Sequence, residues 1–126
     1  MTSDLIARTT GFALRVIRLT QELPRDRAAE VIGRQLLRCG TSVGANYRAA
    51  CRARSRRDFV SKLAIVEEEC DESLYWIDLL IAAGLAPATR VAAVRGEADE
   101  LLRIVVASAK TAKRNARTAD TTTNAE

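Results

Sequence analysis

The chain has 126 residues, of which 48% are hydrophobic and 29% are charged. This composition suits one globular domain and excludes a disordered chain, and a second core within this length would be too small to be stable. A formal net charge of +4 permits an anionic partner.

Features that the sequence lacks indicate the cellular compartment of the protein. Residues 1–10 contain no apolar signal-peptide core, and Asp78 interrupts the longest apolar run, so we expect no membrane span. Cys39, Cys51 and Cys70 share no CxxC spacing, which argues against a disulfide framework or a zinc site and favours the cytoplasm.

Aromatic residues make up only 4% of the chain, and no strand-like alternation persists. We therefore predict an all-α protein.

The first half of the sequence predicts two amphipathic helices. Ser3 and Asp4 are candidate caps for the first, which should stop before Pro24, and Asp26 is the candidate cap of the second, which should run to about Ala53. The apolar positions recur every three or four residues. They are Leu5, Ile6, Phe12, Val16, Leu19 and Leu23 in the first helix, then Ala28, Ile32, Leu36, Cys39, Val43, Asn46 and Ala50 in the second.

Two more helices follow. Ser55, three residues before Asp58, predicts the third helix start, and Gly84 with Pro87 predicts its end; the fourth starts near Thr89 and fades near Asn115. Short connections make sequential helices antiparallel. The predicted fold is an antiparallel up-down-up-down four-helix bundle over residues 1–117, with a disordered tail at 118–126.

Several packing and capping positions resemble those of a known family. They are Gln35-Leu36, Arg38, Ser42, Asn46, Arg54-Ser55, Asp58-Phe59 and the run Glu68 to Gly84, EECDESLYWIDLLIAAG. This pattern resembles the four-helix-bundle family related to the 23S rRNA intervening-sequence protein (S23-like) and to accessory variability determinant proteins of retroelements. The resemblance implies a pentameric barrel and, among partners, nucleic acid and a reverse transcriptase. We expect no cofactor.

Basic residues concentrate at one end of the predicted bundle, here called the basic pole, where helices two and four end and helices one and three begin. The basic pole comprises Arg8, Arg48, Arg52, Arg54, Arg56, Arg57, Lys62, Lys110, Lys113, Arg114 and Arg117. Such clustering suits phosphate contact, but cations at helix C-termini also stabilise the helix dipole without any ligand. With no aromatic residue among them, we expect backbone contact to RNA or DNA rather than base stacking. The predicted contacts are Arg48, Arg52, Arg54, Arg56, Arg57, Lys110, Lys113 and Arg114.

The outward side of helix three predicts an oligomer interface. Its members are Ile65, Glu72, Tyr75, Trp76 and Leu79. A soluble monomer rarely exposes such a patch, although a fourth helix wrapping over Trp76 would also cover it. Gly40 and Gly44 are further positions where another helix can approach closely. A protein scaffold that binds no nucleic acid is the alternative function.

Catalysis is the third hypothesis. The acidic run Glu67–Glu72 has the composition of a magnesium-dependent nucleotide hydrolase site, but Glu68 and Glu72 should face away from the core. The chain contains no histidine, so the usual general base is absent. We therefore expect a non-enzymatic protein with neither catalytic nor metal-binding residues.

Overall fold

Four α-helices make up the fold in the computed structural model, which describes the backbone of residues 2–125 and the side chains of residues 4–118. Helix α1 spans Thr2–Gln21, α2 Arg27–Cys51, α3 Arg56–Ala82 and α4 Ala88–Ala125. Sequential helices pack side by side, and α1 also contacts α4, which closes an antiparallel four-helix bundle. Within the described residues, no helix is both long and apolar enough to cross a membrane.

Three of the predicted helix boundaries are confirmed in atomic detail. The Asp26 side chain accepts a hydrogen bond from the Ala29 N–H, and Ser55 accepts one from the Asp58 N–H, so both act as N-caps. Gly84 ends α3 with a positive φ of 72°, a conformation that glycine adopts without steric cost. These local signals therefore fix the three turns of the bundle.

The two chain ends differ from their predicted boundaries. Helix α1 already begins at Thr2, so Ser3 and Asp4 lie in its first turn rather than before it, where the charge of Asp4 suits the helix dipole. Helix α4 continues past Asn115 to Ala125. Its last buried side chain is Ala116, so the boundary at residue 117 between a packed unit and a tail stays a prediction.

Apolar side chains of all four helices form one hydrophobic core. Phe12, Val16, Leu36, Leu63 and Leu101 are each at most 1% exposed. Ile6 and Ala28, predicted to face inward, are exposed, and their places are taken by Thr9 and Ala29, both buried. Asn46 satisfies its amide within α2, where Nδ2 donates to the Ser42 carbonyl at 2.9 Å.

Close contact between α1 and α2 explains the glycines of α2. A Cβ on Gly40 would lie 2.9 Å from both Cγ atoms of Val16, and one on Gly44 would lie 3.2 Å from the Thr9 hydroxyl. Another helix does approach closely at Gly40 and Gly44, as predicted, but that helix is α1 of the same chain. Glycine has a lower helix propensity than alanine, but its lack of a Cβ lets α1 and α2 pack closely.

Replacing Gly40 by alanine should destabilise the protein despite alanine's better helix propensity. Val16 is fully buried and stiff about χ1, so it cannot move away, and overpacking costs about 1–3 kcal/mol against a propensity gain of roughly 1 kcal/mol. Gly96→Ala is the matched control, since a Cβ there meets nothing within 4 Å and should stabilise by about 0.5–1 kcal/mol. Urea denaturation measures both; a stabilised Gly40→Ala protein would contradict this packing.

Candidate nucleic-acid interface

The bundle topology brings the end of α2 and residues 110–115 of α4 to the start of α3. All eight predicted nucleic-acid contacts are exposed there. The link between α3 and α4 is direct, because Nη1 of Arg56 donates to the Asn115 carbonyl at 3.2 Å. The basic pole is thus a surface made by three helices rather than a single charged stretch.

A groove runs between the end of α2 and the start of α3. Arg48, Arg52, Arg54 and Lys62 line it with a single carboxylate, Asp58, and its volume is about 660 Å³. Lys62 Nζ lies 2.9 Å from Asp58 Oδ1, and this hydrogen bond is the main cause that lowers the pKa of Asp58. Because Lys62 neutralises Asp58, the three arginines give the groove a positive charge.

Five cations of the basic pole have no acidic partner within the part of the chain that the structure describes. They are Arg48, Arg52, Lys110, Lys113 and Arg114. Positive side chains that are exposed and lack counter-charges are available to an external anion. The arrangement therefore suits phosphate groups, which arginine can engage with two parallel hydrogen bonds.

Arg8 does not belong to the basic pole as predicted. Its guanidinium forms an ion pair with Glu97 and lies 3.2 Å from Glu100, both in the first half of α4. The hydrogen bond to Glu97 is the main cause that raises the pKa of Arg8. Arg8 lies beyond the first turn of α1, where its long side chain reaches Glu97 and Glu100 of α4. It therefore links those two helices.

Beneath the basic pole lies a hollow of about 440 Å³, here called the pole hollow. Tyr47, Phe59 and Ala112 are among the residues that form its apolar part, while Arg54 and Arg56 also line it. The prediction that no aromatic side chain accompanies the basic residues is therefore wrong. The last layer of the core lies directly under them at an open end of the bundle, which one-dimensional spacing does not reveal.

The predicted oligomer interface forms one side of α3. Ile65 is 42% exposed and Tyr75 is 58% exposed, whereas Trp76 and Leu79 are half-buried against the core. The ring of Tyr75 meets that of Trp76 edge to face, with centroids 4.9 Å apart. This side of α3 thus presents apolar surface around a fixed aromatic pair.

Glu72 links this surface to α2. It accepts a hydrogen bond from Trp76 Nε1–H at 3.2 Å and forms an ion pair with Arg38, which also lies 3.6 Å from Glu69. Helical spacing alone would place Glu67 and Asp71 level with Arg38, but the structure does not pair them with it. Those two carboxylates lie instead beside α4, in a hollow shared with Leu102 and Val106.

The acidic run of α3 is thereby divided between two neighbouring helices. Arg38 pairs with Glu69 and Glu72, and burial is the main cause that raises the pKa of Glu69. Over the described residues, no group of three or more cysteine, aspartate or glutamate side chains is placed to hold a metal ion. Glu69 and Glu72 instead contribute to the packing of α3 against α2.

These features define an antiparallel four-helix bundle with a basic end, and comparison with known proteins places it in a family. A family model described as 23S rRNA-intervening sequence protein matches residues 2–107. The chain belongs to this family. No curated protein matches the sequence.

A solved structure supports the same relationship. It is a protein of unknown function from the S23 ribosomal protein family of Bacteroides thetaiotaomicron, 32% identical in sequence. The match covers 87% of this chain and 99% of that one with a TM-score of 0.80. Neither match indicates a catalytic family.

Proposed function

We propose that this protein is a non-enzymatic, homo-oligomeric module that binds the phosphate backbone of RNA or DNA through its basic pole. The observation that carries the proposal is the convergence of exposed arginine and lysine side chains from α2, α3 and α4 at one end of the bundle. Arg48, Arg52 and Arg114 exemplify them, since none has an acidic partner among the described residues.

Charge distribution along the bundle supports this orientation. Away from the basic pole, Arg8 and Arg38 are paired with the carboxylates Glu97 and Glu69, so these arginines offer little uncompensated positive charge to a polyanion. Phosphates would therefore approach the basic pole, where binding releases condensed counterions from the nucleic acid. Backbone contacts of this kind carry little sequence preference.

The family name favours RNA as the first ligand to test. It associates the family with the intervening sequences of 23S rRNA. The same electrostatic contacts fit DNA, because both polymers present phosphates. A reverse transcriptase remains a further candidate partner, on the resemblance to retroelement accessory proteins alone.

The salt dependence of binding tests the basic pole directly. Replacing Arg48, Arg52 and Arg54 together with glutamine should reduce the logarithmic salt slope for single-stranded RNA by about 2 units, at roughly 0.7 per lost phosphate contact. Fluorescence anisotropy over a salt series measures the slope. Circular dichroism should show unchanged helix content, because all three side chains are exposed.

A matched control separates this surface from net charge. Arg15, Arg18 and Arg90 meet at the opposite end of the bundle, and replacing them with glutamine removes the same charge. This variant should keep the wild-type slope. An equal reduction of the salt slope in both variants would contradict a binding site at one end of the bundle. If the wild type bound neither RNA nor DNA at low salt, the scaffold function would take the place of nucleic-acid binding.

We also propose that copies of the chain assemble through the exposed side of α3 into a homo-oligomer, a pentamer by family resemblance. Ile65 and Tyr75 leave apolar surface in water that a second copy would cover. Several basic poles on one assembly would bind a polyanion with avidity that a lone chain lacks.

Tyr75→Glu should dissociate the assembly, because it would bury a charge at the interface. At 58% exposure, Tyr75 can be replaced without disturbing the core. Ala92→Glu, at an exposed position near the start of α4, is the control and should leave the assembly intact. Light scattering reports the mass; a wild-type protein with the mass of one chain at all concentrations would refute the proposal.

A further inference from the structure

We infer that the pole hollow receives one unpaired nucleobase of a single strand whose phosphates lie on the basic pole. The inference rests on the proposed nucleic-acid function and deepens it, since it replaces pure backbone contact by backbone contact with an inserted base. The juxtaposition that points to it is an apolar, aromatic-lined hollow whose lining includes Arg54 and Arg56 of the basic pole.

The size and lining of the pole hollow suit a flat aromatic ring. Its volume of about 440 Å³ lies within the range of roughly 300–1,000 Å³ that is typical of small-molecule pockets. Ala50, Ala53 and Ala112 leave the space open because their side chains are short. Phe59 is only half-buried, so part of its ring remains accessible to a base. Stacking on an aromatic ring is tolerant of sequence, because every base has a π-face.

The mouth of the hollow carries groups that suit the phosphates flanking such a base. Arg56 is held across it by the hydrogen bond from Nη1 to the Asn115 carbonyl, and a guanidinium has five N–H donors. Its remaining donors can therefore contact a phosphate without breaking the link. Arg54 lines both the hollow and the neighbouring groove, so it lies where a backbone would pass from one to the other.

These features favour a single strand over a duplex. A base within a duplex is stacked and paired, and its extrusion costs a few kcal/mol, whereas an unpaired base is already accessible. A duplex would then bind through the basic pole alone. Preference for single strands is the property that distinguishes this inference from backbone contact only.

Ala112→Leu tests the inference by filling the hollow while leaving every charge in place. We expect it to weaken binding of a short single-stranded RNA by about 5-fold or more, which corresponds to the loss of one stacked base, without altering the salt slope. Binding of the same strand annealed to its complement should not change. Ala107→Leu, the same substitution at an exposed position of α4, is the control and should bind both RNAs as the wild type does.

Cys51 supplies a second readout that needs no variant. Its thiol is exposed and lines the hollow, whereas Cys39 and Cys70 are buried. Burial raises the pKa of Cys70 to about 12, so the two buried thiols should react slowly and leave Cys51 as the labelled site. A saturating single strand should slow maleimide labelling of Cys51 more than an all-abasic strand of equal length, which keeps the phosphates and lacks the bases.

The outcomes of these experiments distinguish base insertion from backbone binding. Weaker binding of the single strand by Ala112→Leu, with Cys51 protected more by the intact strand than by the abasic strand, supports the inference. Equal binding of intact and abasic strands by the wild type, or unchanged labelling of Cys51 at saturation, overturns it and leaves backbone binding in place. Absence of binding by every strand at low salt overturns the proposed function together with the inference.

Discussion

The reversal between α2 and α3 is the constraint on which the basic pole depends. Residues 52–55 turn the chain through a few positions, and the Ser55 side chain caps α3 by accepting the Asp58 N–H. Arginines on both sides of this turn are thereby forced onto one end of the bundle. Helix α4 then runs back alongside α3, and the Arg56 to Asn115 hydrogen bond joins its basic residues to the same end. A longer, flexible connection would not hold these charges together.

The structure divides the basic residues into two groups that the sequence alone does not separate. Arg8, Arg38 and Arg95 each pair with a carboxylate of another helix, and so they contribute to packing. Half-exposed pairs of this kind stabilise a fold by at most about 1 kcal/mol each, but they fix which helix faces lie together. Arg48 and Arg52 have no such partner among the described residues. Charge that folding leaves unpaired, rather than net charge, is what favours a phosphate ligand.

Local signals allowed the bundle to be predicted, whereas contacts between helices required the structure. The caps at Asp26 and Ser55 and the turn at Gly84 depend on a few adjacent residues, so the sequence reveals them. The partners of Arg38 depend on how α2 and α3 rotate against each other, which helical spacing does not determine. The aromatic lining around Phe59 was missed because a core stripe does not show where the bundle opens. The sequence shows that Phe59 is on an apolar stripe, but only the packing of the helices shows that this part of the stripe lies where the bundle is open.

Hydrogen–deuterium exchange with and without single-stranded RNA tests the central claim most directly, because it locates the ligand on the bundle. We expect slower exchange in residues 46–60 and 109–117, which come from separate parts of the chain and meet only in the folded bundle. Exchange near residues 18–34 and 84–95, at the opposite end, should not change. Protection centred on that opposite end, or spread evenly over all helices, would contradict the assignment of the basic pole as the nucleic-acid interface.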